Sequence, residues 1–173
     1  MFINPISLIA LIEKLLFIFL LTLIPFLELR LSIPIGVFSG KIELPFGLMV
    51  EGFGLPILPV FLTAVTANIL LGPMVYFFYD KVIHFFLHFK WINSLYNRIV
   101  LRTQRKSKKL IERFGLIGLI FFIAVPLPGS GSYTAALAAY LLGIGYKKFA
   151  LINAFGVIIA GLLVSLISLG FFA

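Results

Sequence analysis

Two clusters in this sequence have the residue types and spacing to do chemistry. In the first, Glu28 and Arg30 lie among Leu and Ile, with Pro34 and Gly36 close behind. A charge inside an apolar membrane segment costs about 3 kcal/mol on insertion scales, so such groups usually face a cavity or one another. If both lie at depth, Arg30 can hold an anionic headgroup and Glu28 can take up a proton. If instead the first helix ends near Leu27, both groups simply touch water at the interface.

The second cluster is Pro126-Leu-Pro-Gly-Ser-Gly-Ser132. Pro126 and Pro128 remove amide donors, while Gly129, Ser130, Gly131 and Ser132 can turn several amides toward one point ahead of a following helix. The positive end of that helix would complete an anion site. The plainer reading is a steric hairpin tip, with Ala135, Ala136, Ala138 and Ala139 permitting close helix contact.

Other polar groups are sparser. Asn68 and Asn153 sit within apolar runs, suited to helix–helix hydrogen bonds or to lining a cavity. Asp80, His84 and His88 share a helical face, but without cysteine or a fourth ligand nearby they read as a solvated face, and no metal is expected. Trp91 and Tyr96 suit interfacial anchoring. No nucleophile elbow, P-loop or dinucleotide fingerprint occurs, so neither an enzyme nor a cofactor is expected.

The elements that must position these groups follow from composition. The 173 residues are 62% apolar and only 12% charged, with strongly positive mean hydropathy. A soluble domain of this size carries about 25% charged residues, so a soluble globular enzyme is excluded as the default. A membrane helix needs about 20 apolar residues. The uncharged runs 52–79 and 149–173 each suit one span. The run 114–146 is too long for one crossing, too short for two, and broken at Pro126. Its arms, 114–125 and 133–145, would each reach about 20 Å as helices, short of the roughly 30 Å core, which points to a re-entrant hairpin. Pro25, Pro34, Gly36, Gly40 and Pro45 punctuate the first third similarly, where a second hairpin is expected with its interruption at Pro34.

Charge is concentrated in one place. Residues 81–113 hold nine basic residues and one acid, which accounts for the net +8 of the whole chain. Val82, Phe85, Phe86, Phe89 and Ile92 recur at helical steps, and Arg98, Arg102, Arg105, Lys109 and Arg113 form a basic stripe. This fits an amphipathic helix on an anionic leaflet, binding anionic lipid headgroups rather than nucleic acid. The first fourteen residues lack a positive leader, and Glu13 and Lys14 interrupt them, so no cleavable signal peptide is expected.

These readings give an all-α integral membrane protein built as an inverted repeat of re-entrant helical hairpin plus transmembrane helix. The first repeat is 1–79 (hairpin about 12–50, span about 56–79), the basic connector 80–113, and the second repeat 114–173 (hairpin 114–145, span 149–172). Asn68-Ile-Leu-Leu-Gly72 has a faint echo in Asn153-Ala-Phe-Gly156.

The stretches Glu28-Leu-Arg-Leu-Ser-Ile-Pro-Ile-Gly36 and Pro126-Leu-Pro-Gly-Ser-Gly-Ser-Tyr-Thr-Ala-Ala-Leu-Ala-Ala139 resemble the two signature stretches of the small multidrug export proteins. That family is similar to the wider DedA superfamily, whose members carry two opposed re-entrant hairpins and are implicated in moving lipids, including polyprenyl-phosphate carriers, sometimes with proton coupling. DedA-type second hairpins carry arginines at the positions of Ile123 and Gly129, so that arginine role does not transfer. Glu28 and Arg30 retain an acid and a base in a matching hairpin.

The expected function is translocation of an amphipathic substrate with an anionic head, such as a phospholipid or polyprenyl phosphate. Its site would comprise Glu28, Arg30, Pro34, Gly36, Asn68, Pro126, Pro128, Gly129, Ser130, Gly131, Ser132 and Asn153, with the two hairpin tips meeting near the midplane and Glu28 coupling to protons. The alternatives are a small exporter of lipophilic cations and a non-transporting membrane scaffold. The partners are membrane lipids, a homo-oligomer is allowed, and the location is the cell membrane, with several passes.

Overall fold

The computed structural model describes residues 5–44, 48–86, 115–126 and 130–172. In chain order the elements are α1 (Pro5–Thr22), α2 (Glu28–Val37), β1 (Ser39–Leu44), β2 (Leu48–Phe53), α3 (Ile57–Phe86), α4 (Gly115–Ala124), α5 (Ser132–Leu141) and α6 (Tyr146–Phe172).

The two long helices are long and apolar enough to cross a membrane, over Ile57–Val82 and Tyr146–Gly170. At 1.5 Å per residue, their 26 and 25 residues reach well beyond a hydrocarbon core of about 30 Å. α3 runs on to Phe86, through the start of the sequence-defined connector; the remainder of the connector, with Arg98, Arg102, Arg105, Lys109 and Arg113, lies outside the described residues. Along α6, Phe149, Ile152, Asn153, Val157, Ala160 and Val164 are buried at three- and four-residue steps, while Leu151, Phe155, Leu162 and Leu166 are exposed. An outward face of leucine and phenylalanine suits lipid.

The chain divides into two compact units, one of residues 1–68 with 158–173, the other of residues 69–157. In the first, α1 and α2 are joined by a non-helical turn at 23–27. Ile18, Leu29, Ile33 and Val60 are fully buried there. Gly36 and Gly161 supply the close approaches: a Cβ on Gly36 would lie 2.6 Å from Val60 Cγ1, and one on Gly161 would lie 2.6 Å from Val65 Cγ2. Lipid is as apolar as leucine, so helices in it are held by van der Waals fit, and glycine at a crossing permits that fit.

The interruption falls at 23–27, around Pro25, and not at Pro34, which sits inside α2. Pro34 cannot donate to the Arg30 carbonyl, but it is seventh in a ten-residue helix that stops at Val37, so one lost bond is tolerated. The turn is instead set by Phe26 (φ 70°) and Glu28 (φ 46°), both in left-handed backbone.

A two-stranded antiparallel ribbon, β1–β2, was not anticipated. Its register sets Lys41 opposite Glu51 and Glu43 opposite Met49. The ribbon base is tied back by Gly54 N–H to the Phe38 carbonyl (2.8 Å) and by Lys14 Nζ to the Phe53 carbonyl (3.2 Å). Phe53 also lies edge-on to Phe17, with ring centroids 5.5 Å apart.

In the second unit, α4 ends at Ala124 and α5 begins at Ser132, so the helix breaks where Pro126 and the glycines predict. Each arm is ten residues, about 15 Å. Ala135, Ala136 and Ala139 form a fully buried small-residue face on α5. Gly156 of α6 packs on Ile123 of α4, where a Cβ would come within 2.7 Å.

Candidate functional site

The first unit gathers polar groups in an otherwise apolar interior. Glu28 opens α2 and is only 4% exposed. Three features hold its carboxylate there. It lies in the first helical turn, where the helix dipole favours negative charge. Asn68 of α3, itself 1% exposed, donates from Nδ2 to Glu28 Oε2 at 3.3 Å. Arg30 of the same helix is partly buried and within electrostatic reach. The left-handed backbone at Phe26 and Glu28 is disfavoured for side chains with a Cβ, by about 1–3 kcal/mol each, and strain of this kind persists only where surrounding structure enforces it.

Ser32 follows Glu28 by four residues along α2. Its Oγ lies 2.7 Å from Oγ1 of Thr22, which is also 2.7 Å from the Ile18 carbonyl. Both hydroxyls are fully buried. Pro34 and Gly36 lie further on: Gly36 is fitted against Ile18 and Val60, a packing position.

The second unit carries the other predicted cluster. Ser130 Oγ donates to the Val125 carbonyl at 2.7 Å, bridging the break. Gly131 has φ 125° and ψ −174°, a conformation open essentially to glycine alone, and its carbonyl accepts from the amide of Ala135. Ser132 is fully buried at the start of α5, and Pro126 is partly buried. Pro128 and Gly129 lie outside the described residues. Asn153 of α6 is fully buried, donates to the Ile69 carbonyl at 3.4 Å, and fills the space beside Gly72 of α3, where a Cβ would come within 2.4 Å of its amide. Asn153 is thus seated in a helix–helix contact.

Among the described residues, the structure brings Glu28, Arg30 and Asn68 together, and sequence reading did not pair Asn68 with Glu28. Thr22 and Ser32 were missed; their signal was a hydroxyl on each side of a proline turn in an apolar run. An aromatic cluster was also missed. Tyr76 stacks on Phe149 (5.4 Å) and meets Tyr140 and Tyr146 edge-on, while its hydroxyl donates to the Ile144 carbonyl at 2.9 Å. These contacts are long-range in sequence and leave no local pattern. The Asp80, His84 and His88 set is only partly described, and no group of three or more His, Cys, Asp or Glu assembles among the described residues.

The arrangement is a buried acid beside an amide donor, with a guanidinium in electrostatic reach. No curated protein and no solved structure matches the chain. The family model described as "Putative small multi-drug export protein" matches residues 28–163, from Glu28 through all of α2 to α5 and most of α6. Covering most of the chain, that match identifies it as a member of the small multi-drug export family.

Proposed function

We propose that the protein is a multi-pass cell-membrane exporter that moves an amphipathic substrate with an anionic head, a phospholipid or polyprenyl phosphate, coupled to proton uptake at Glu28. The observation that carries this reading is the buried Glu28 carboxylate, held by Asn68 with Arg30 in electrostatic reach. While Glu28 is charged, it engages the guanidinium. Protonation removes that attraction, and Arg30 becomes able to take a phosphate oxygen, to which guanidinium binds bidentately. Proton and anion therefore bind together. Export of a lipophilic cation, which the family description supports, would use the charged Glu28 instead; Arg30 beside it disfavours a second positive charge. Within this reading, the hairpins are re-entrant in the DedA manner and the basic connector rests on anionic lipid.

The test is reconstitution with a fluorescent phosphatidylglycerol. Glu28→Gln should keep an oxygen for Asn68 yet flatten the pH dependence of lipid movement, and Arg30→Ala should abolish it. Unchanged lipid movement in Arg30→Ala, together with uptake of a lipophilic cation lost in Glu28→Gln, would decide for the drug exporter.

A further inference from the structure

We propose that the hydroxyls of Thr22 and Ser32 are the proton path to Glu28, an inference that rests on Glu28 being the coupling group. Both hydroxyls are fully buried in an apolar unit, and they lie 2.7 Å apart. Thr22 has one hydroxyl hydrogen and two oxygen neighbours at 2.7 Å, Ser32 Oγ and the Ile18 carbonyl. Two arrangements are therefore open to the pair. In one, Thr22 donates to Ile18 and Ser32 donates to Thr22. In the other, Thr22 donates to Ser32, whose own hydrogen is released. Glu28 lies four residues earlier on the same helix and is buried in the same unit, and the relay crosses from Ser32 to it through one water.

The relay conserves protons. Ser32 gives its hydrogen to the bridging water, which passes one of its own to the Glu28 carboxylate, while Ser32 takes one from Thr22 and Thr22 takes one from outside, so the water and both hydroxyls end neutral. Thr22 is the last residue of α1 and adjoins the 23–27 turn. Competing groups are few in this unit. The α3 and α6 portions, 57–68 and 158–173, carry no titratable side chain. α1 brings an exposed Glu13 and Lys14, whose ammonium is on the Phe53 carbonyl. The ribbon carries Lys41, Glu43 and Glu51. Arg30 alone shares α2 with Glu28.

The test uses full-length protein in vesicles of phosphatidylethanolamine and phosphatidylglycerol loaded with a pH-sensitive dye. After an acid pulse, Thr22→Val and Ser32→Ala should each slow proton uptake about tenfold or more, the scale on which a positioned proton-transfer group acts. Ser32→Thr, which restores the hydroxyl, should recover the rate. In a Glu28→Gln background, Thr22→Val should change nothing further. Parent rates in Thr22→Val and Ser32→Ala, with uptake lost in Glu28→Gln, would overturn the relay alone; a parent rate in Glu28→Gln would overturn the coupling reading beneath it. Should either variant lose fluorescent-lipid binding in parallel with uptake, or Ser32→Thr fail to recover the rate, the pair is a helix contact and the relay is wrong.

Discussion

Gly36→Ala is the perturbation whose magnitude the structure defines best. The new methyl would lie 2.6 Å from Val60 Cγ1, 2.9 Å from Val60 Cγ2 and 2.8 Å from Ile18 Cδ1. Carbon atoms prefer about 3.5–4.0 Å, so each contact is short by about 1 Å. Ile18 can swing its terminal methyl aside. Val60 cannot: a helical valine has one favoured χ1, and both of its methyls face the glycine. The backbone of α2 must therefore shift, an overpacking effect of about 1–3 kcal/mol. For a chain of this length that lowers the unfolding midpoint by about 2–4 °C per kcal/mol. Thermal unfolding of the purified protein in detergent measures it. Val60→Ala alone should also destabilise, by roughly 1–3 kcal/mol through its cavity, yet in the double variant the two changes should offset each other by at least about 1 kcal/mol. An unchanged midpoint in Gly36→Ala, or strictly additive losses, would refute the packing assignment. Lost transport at parental stability would return Gly36 to the substrate path.

Two further outcomes follow from the second unit. Gly131→Ala should destabilise by about 1–3 kcal/mol by the same thermal measurement, because its φ of 125° is open essentially to glycine alone; a neutral result would mean that the break adopts another backbone. Gly72→Ala should displace Asn153 from the Ile69 carbonyl and lower the midpoint, and Asn153→Ala should relieve the clash; failure of that rescue would show that the two helices meet elsewhere.

Much of the architecture was legible from the chain. The spans of α3 and α6 follow from uninterrupted apolar length, and the α4–α5 break follows from Pro126 with its glycines. The first third was harder for two physical reasons. A proline in a ten-residue helix forfeits a single hydrogen bond, so Pro34 did not mark the interruption, whereas left-handed Phe26 and Glu28 did, and propensity does not anticipate left-handed backbone at non-glycines. The ribbon's alternation, Lys41-Ile-Glu-Leu44 before Pro45-Phe-Gly47, was present, but Gly40 and Pro45 were read as punctuation of a helical hairpin and not as the bounds of a strand. Glu28 and Asn68 were each noticed; that they touch depends on how helices 40 residues apart in sequence pack together.

The backbone at Glu28 has a consequence for anyone seeking a sturdier variant. Asparagine and glycine adopt its left-handed torsion with less penalty than glutamate, so directed evolution for heat tolerance alone should repeatedly discover replacements at this position. Every such gain would discard the buried carboxylate. Under the coupling role proposed for Glu28, a population selected only for survival in detergent would drift toward robust but idle protein, and the rate at which it did so would measure how much folding free energy the native chain forgoes to keep an acid there.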